Sequence, residues 1–400
     1  MSGTMTLPLN GIRVLDFSHF QSGPCCGMLL ADMGAEVIRV DPPGGGIDRT
    51  WGILGPDGET LTFKSLARNK KGITLSWKSD EGKQILKELV KCSDVVLSNF
   101  APGSPPAKEL DHENLKAVNP RIITAAISGF GLYGTDSERV CFDPVAQARS
   151  GAMTLNGFPG DPPLKTTVPY VDLSSGMSTA LGILLALFHR EKTGIGQAID
   201  VALFDVASFM TQSQGALLYY ETFHRLREQY GNSSFNSYGT CLKAKDGWVM
   251  MVAGTDQIWR RLLKATGKEH MAEDPAFQAG GDRSEKAAII DPPFQEWAGQ
   301  RTVGEIMSLF DAERIPCSPV YSVDHLRGDA QVAAREMVVD VDYPSIGKMP
   351  LPGVFIKLSE TPADIKFRSP ATGEHNTEIY QGLLGLSPID MQKLEEKGAI

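Results

Sequence analysis

The sequence predicts an α/β protein: a Rossmann-like large domain on an open parallel sheet, with a smaller α+β domain. Three observations predict it. Short apolar runs bounded by turn residues alternate with helical patterns from Gly11 to about residue 205, the order that winds a parallel sheet. The first of these units, with strands at Gly11–Ser18 and Ala35–Asp41 around a helix, is a βαβ opening. Past residue 235 the pattern changes, and Tyr238–Val252 reads as two antiparallel strands around the turn Lys245-Asp246-Gly247.

In chain order, residues 19–24 form a turn and Cys25–Met33 a helix ended by Gly34. Asp41 closes the second strand where dinucleotide-binding folds hold a ribose. Yet His19-Phe-Gln-Ser-Gly-Pro24 has no G-x-G-x-x-G, so a nicotinamide cofactor is not expected. Pro42–Gly46 is a loop, Leu61–Ala67 leads back to the sheet and Gly72–Trp77 is a strand. Between them, Arg68-Asn-Lys-Lys71 reads as a solvated turn, the usual state of a charge run. A helix over Ser79–Cys92 carries Lys83, Lys87 and Lys91 at four-residue spacing. Strands follow at Asp94–Phe100, Arg121–Ser128 and Ile199–Leu203, with a helix near Glu113–Val118. The expected organisation is a large domain over 1–205, a helix and linker over 206–235, a small domain over 236–330 and a return segment over 331–400.

Composition narrows the function classes. The chain has 400 residues, 42% hydrophobic, 22% charged and 8% aromatic, as in ordinary globular enzymes. A net charge of −9 argues against a nucleic-acid partner, which needs a basic face. The apolar run 178–188 is too short to span a membrane, and the N-terminus lacks a charged-then-apolar export pattern. Six cysteines without C-x-x-C or zinc spacing predict reduced thiols in a cytoplasmic protein and no metal site.

The most informative stretch is Val168–Gly194. After Pro169 it predicts one long helix, apolar on more than one face and hence buried between layers, stopped at Gly194. Asp172 falls in or just before its first turn, where unpaired N–H groups solvate an anion. One reading makes Asp172, Ser174 or Ser175 a cap. The other makes Asp172 a carboxylate nucleophile: free aspartate ionises near pH ~3.9 and needs no partner base.

At this point the sequence resembles the class III CoA-transferases, the family of formyl-CoA and carnitine CoA-transferases, over about residues 9 to 385. The resemblance rests on ordered motifs: Gly11–Pro24 with Gly34–Arg39, Asn69-Lys-Lys71, Asn99-Phe-Ala-Pro-Gly103, Ser128-Gly-Phe-Gly131 and Phe142-Asp-Pro-Val-Ala-Gln147. Asp172-Leu-Ser-Ser-Gly176, Thr193–Gln197, Ile315–Val320 and Gly373-Glu-His375 complete it. It implies that Asp172 attacks an acyl-CoA thioester, giving a mixed anhydride and then an aspartyl-CoA thioester, with Gln21 near the reacting carbonyl. It assigns CoA contacts to His19, Ser22, Asn69, Lys70, Leu75, Lys78, Asn99, Phe142 and Asp143. Pro42 and Ala107 stand where some relatives bind CoA phosphate through arginine, leaving Arg39, Lys108 or Arg68 as substitutes. Coenzyme A enters as co-substrate, with no permanently bound cofactor, and an interlocked, ring-like homodimer is expected.

The same fold hosts α-methylacyl-CoA racemases, but the residue at their histidine position is Phe142, which cannot carry a proton. A non-catalytic acyl-CoA-binding protein would need no acid at position 172. For substrate, Arg49, Arg149 and Lys165 are cations able to hold a second carboxylate, so a succinyl-CoA donor and a dicarboxylic acceptor are expected. The glycine-run lid of formyl-CoA transferase has no counterpart near Ala253-Gly-Thr-Asp256.

Overall fold

A computed structural model describes residues 6–274, 277 and 280–400, with the backbone alone at 280–282. The chain forms two compact units: one of residues through Ala146, Val168–Ala207 and Asp329–Ile400, the other of Gln147–Thr167 and Ser208–Gly328. Residues 147–167, inside the span expected for the large domain, thus group with the second unit. The segment expected to be a helix and linker holds two helices, Leu203–Ser213 and Ala216–Phe223.

The first unit runs β1 (Arg13–Asp16), α1 (Ser22–Asp32), β2 (Glu36–Asp41), α2 (Leu61–Leu66), β3 (Lys70–Thr74), α3 (Asp80–Lys91), β4 (Val95–Ser98), α4 (Pro105–Glu109), α5 (His112–Val118) and β5 (Ile123–Ser128). Helix α6 (Asp143–Arg149) starts in the first unit and ends in the second, which holds the short α7 (Ala152–Leu155); the first unit resumes with α8 (Tyr170–Thr193) and β6 (Ala198–Ala202). The six strands make one parallel sheet in the order β3-β2-β1-β4-β5-β6. The chain winds outward to β3, returns beside β1 and winds the other way, so β1 and β4 flank the topological switch point. Alternate side chains feed opposite faces, as period-two geometry demands. Val14, Val37 and Leu97 meet α1 and α8 on one face; Leu15, Ile38 and Val96 meet α3 on the other. The run at Leu61, expected to lead back to the sheet, instead forms helix α2, because the Thr60 hydroxyl caps it by accepting from Phe63 N–H.

Helix α8 ends at Gly194 in the left-handed conformation, as the sequence predicts. It packs against α1, β5 and β6, and Val171, Ile183 and Ala186 are buried. Burial on more than one face is not observed: Leu181, Leu185 and Phe188 are each more than half exposed. By length and apolar composition this helix could cross a membrane. Its packing makes it a core helix of the unit. It lies so close to α1 that a Cβ on Gly176 would sit 2.5 Å from the Ser22 carbonyl oxygen.

The charge run Arg68–Lys71 is not solvated. Arg68 is buried against Asp32 at 2.8 Å, and Lys70 is buried against Asp16 at 2.8 Å and the Pro24 carbonyl at 2.9 Å. Lys71 bridges Glu36 and Glu378. These cations bind acids on α1, on β1 and β2 and, for Glu378, in the return segment, and the hydrogen-bonded pairs offset the desolvation cost that excludes unpaired charge.

In the second unit β7 (Gly239–Lys243), β8 (Trp248–Val252) and β9 (Cys317–Pro319) form an antiparallel sheet, with Lys243 opposite Trp248 across the expected turn. Trp259, Phe294, Trp297 and Phe310 fill its core, the last two with stacked rings 5.6 Å apart. The return segment brings the ribbon β10 (Val338–Tyr343) and β11 (Gly347–Pro352) and a closing helix Pro388–Glu396 to the first unit.

Candidate active site

Each parallel strand delivers the loop after it to one edge of the sheet. The loops after β1, β4 and β5 therefore meet at the switch point, bringing His19, Asn99 and Gly129 together. They line a cleft of about 280 Å³ with Ser22 of α1, Asp172 of α8, Arg139 and Phe142. The loop after β1 is held from both sides: His19 N–H donates to the Asn99 side chain at 2.9 Å, and the Asn99 amide donates to the His19 carbonyl at 2.7 Å. Phe20 is pushed into the left-handed region, φ 66°, a costly conformation for a bulky residue. Its ring packs edge-on against Trp51 and Phe142, centroids 5.3 and 5.8 Å away, and Trp51 stacks on Phe142.

Asp172 lies in the first turn of α8 but caps nothing. The cap comes from another element: Asp143 Oδ2 accepts from Val171 N–H at 2.8 Å and from Asp172 N–H at 3.2 Å. The buried Asp143 carboxylate thus satisfies the helix terminus and leaves the Asp172 side chain to the cleft. Burial, and then the nearby Asp143 charge, push the Asp172 carboxyl up from 3.8 to about 7. The expectation of a carboxylate fully ionised at neutral pH is corrected: near pH 7 both forms are populated. Beside it, burial first and the Asp172 charge second push the Cys141 thiol up to about 11, so that sulfur stays protonated.

The other residues singled out from sequence divide clearly. His19, Ser22, Asn99, Phe142 and Asp172 line the cleft, and Gln21, between Phe20 and Ser22 at the start of α1, makes no capping bond. Asp143 is buried behind Asp172 as its helix cap. Arg39 is fully buried among Asp41, Asp48 and the Ser18 carbonyl, so neither it nor Arg68 is placed to replace a phosphate-binding arginine. Lys70 is likewise spent on Asp16. Asn69 is turned away, tying the segment 364–367 through bonds to Asp364, Lys366 and Phe367. Leu75 is core, while Lys78 and Lys108 are exposed. Arg49 is buried against Asp41, Glu59 and the Pro370 carbonyl, which takes it out of substrate recognition. Arg149 and Lys165 are exposed residues of the second unit. That unit holds a cavity of about 340 Å³ lined by Glu228, Glu285 and Asp291, the last of which receives the Tyr238 hydroxyl at 2.7 Å.

Sequence reasoning missed Arg139. It is the permanent cation among the cleft residues, half exposed and 3.4 Å from Asp136. Its only signal was its place three residues before Phe142-Asp143.

Comparison with known proteins agrees with this geometry. Residues 9–376 match the family described as CoA-transferase family III. The chain is 35% identical to a succinyl-CoA–D-citramalate CoA-transferase of Chloroflexus aurantiacus over 98% of both chains. It is 34% identical to a formyl-CoA:oxalate CoA-transferase of Streptomyces avermitilis over 99% of this chain and all of the relative. A solved CAIB/BAIF family protein from Brucella suis superposes with TM-score 0.82 at 30% identity, covering 94% of this chain and 100% of that one. The parallel-sheet fold, the cleft at its switch point and these matches carry one conclusion: the chain belongs to CoA-transferase family III and is an enzyme that transfers CoA.

Proposed function

We propose that this enzyme moves CoA from succinyl-CoA to a carboxylic acid acceptor through covalent chemistry at Asp172. The observation that carries the reading is a carboxylate in a cleft at the switch point, desolvated and freed of capping duty. In the first step an ionised Asp172 oxygen attacks the thioester carbonyl; the C–S bond breaks, and CoA leaves as thiolate from a mixed anhydride. The thiolate then attacks the Asp172 carbonyl, expelling succinate and leaving an aspartyl-CoA thioester. The acceptor carboxylate attacks that thioester, and the thiolate released attacks the acceptor side of the new anhydride. This forms the product thioester and returns Asp172 as carboxylate. No net proton moves. Partial desolvation and positioning raise the reactivity of a group that is a poor nucleophile in water.

Succinyl-CoA is favoured over formyl-CoA because the glycine-run lid has no counterpart here; relatives named for the two donors are equally similar, at 34–35% identity. Arg139 pairs with the acidic groups of the incoming acyl-CoA, a role Arg49 is too buried to take. The exposed apolar side of α8, with the groove between Leu29, Met33, Leu181 and Phe355, is the face for a second copy in a homodimer. Six free cysteines fit a cytoplasmic setting.

The test incubates the enzyme with succinyl-CoA and hydroxylamine and maps the product by mass spectrometry. A hydroxamate at Asp172, lost in Asp172→Asn together with transfer, supports the mechanism; transfer that survives the substitution refutes it. Arg139→Gln is expected to raise KM for succinyl-CoA about tenfold, the worth of one charged hydrogen bond.

A further inference from the structure

Three ligand-type side chains, His19, Asp41 and Asp48, bring their donor atoms within 4.8 Å of one another behind the cleft. The cation among them is part of the chain. Arg39 Nε donates to Asp41 at 2.9 Å, Nη1 to the Ser18 carbonyl at 3.1 Å, and Nη2 to Asp48 at 2.6 Å. Nη2 also lies 3.2 Å from His19 Nδ1, within hydrogen-bond range. A guanidinium has donors and no acceptor, so its contact with Nδ1 requires that nitrogen to be unprotonated. Asp48, the competing acceptor for an Nδ1 proton, stands farther off at 3.6 Å, against 3.2 Å for Arg39 Nη2. Elsewhere Phe100 packs edge-on against the imidazole, and Asn99 is occupied by the His19 backbone.

We propose that Arg39 is a positioning residue that holds His19 as the neutral Nε2–H tautomer, so that the imidazole offers the cleft a hydrogen-bond donor. The ring has its Nδ1 side tied to the buried guanidinium, and His19 is part of the cleft wall, so Nε2 is the nitrogen available to a ligand. Its partner is an acceptor oxygen of the acyl-CoA, in the thioester and pantetheine portion or in the phosphates. This rests on the reading that acyl-CoA occupies the cleft.

Nitrogen NMR of the full-length protein labelled at histidine tests the tautomer with no substrate present, and so fails or succeeds apart from the transfer chemistry. The His19 signals, assigned by their loss in His19→Gln, are expected to show a protonated Nε2 and a bare Nδ1 between pH 6.5 and 8.5. Arg39→Lys keeps the buried charge but not the planar fork. It should let the other tautomer appear and raise KM for succinyl-CoA about three- to tenfold, the worth of one hydrogen bond, with less change in kcat. If the KM increase is also seen with succinyl-pantetheine, the acceptor lies in the thioester or pantetheine; if only with succinyl-CoA, it lies in the phosphates. Either result supports the proposal. An Nδ1–H tautomer or an imidazolium in the wild-type protein overturns it, as does a variant whose KM and kcat fall together with the tautomer unchanged.

Discussion

Replacing Asp172 by asparagine removes a charge the protein holds at a cost, and the size of that cost follows from its environment. The carboxyl moves from 3.8 to about 7 on folding. Between those values the native protein keeps a proton that the unfolded chain has lost, so wild-type stability declines as pH rises through the interval. Roughly three units at about 1.4 kcal/mol each give about 4 kcal/mol, an upper bound because solvent screens a half-buried group. Asparagine has nearly the same shape and no charge. Asp172→Asn should therefore match the wild type near pH 4 and exceed it by about 2–4 kcal/mol at pH 8. Scanning calorimetry at the two pH values reads this as coincident melts in acid and a melt several degrees higher for the variant in alkali. CoA transfer should be abolished at both. A stability gap independent of pH, or a wild type that gains stability between pH 5 and 8, would refute the reasoning about how this carboxylate is desolvated.

The proposed mechanism ties the rate to the same group. If the deprotonated Asp172 is the nucleophile, kcat/KM should climb tenfold per unit below about pH 7 and level above it; a plateau reaching down to pH 5 contradicts this. Asp143→Asn removes the smaller of the two causes of the raised value, so the ascending limb of that profile should move to lower pH. It also removes a negative charge from the N-terminus of α8, at about 0.3–1 kcal/mol in a urea melt, and a limb moving to higher pH would count against the pairing. Lys70→Met strands Asp16 in the interior and should cost about 3–5 kcal/mol in urea denaturation, with Asp16→Asn in the same chain recovering most of it.

Period and punctuation made the sheet legible. Alternating apolar residues in β1, β2 and β4 serve two cores, and glycines mark where helices stop. The sequence also marked Asp172, since a carboxylate just inside a long apolar helix is unusual enough to question. Charge was harder to read. Arg68 and Lys70 look like a solvated turn because their acids, Asp32 and Asp16, lie tens of residues away, and only the fold brings them together. Arg39 and Arg49 look like ligand cations for the same reason. The role of Asp143 as cap to α8 spans 28 residues, beyond any local capping rule. The raised Asp172 carboxyl depends on burial, a quantity no linear pattern encodes.

The contact at Gly176 reaches further than packing. With only a hydrogen separating α8 from the Ser22 carbonyl, the two helix starts that bring Ser22 and Asp172 to the cleft are spaced by backbone rather than by pliable side chains. A single methyl there would act as a wedge, parting Ser22 from Asp172 while both stayed unaltered in sequence. On the proposed mechanism, reactivity in this enzyme is gauged by the smallest side chain it has.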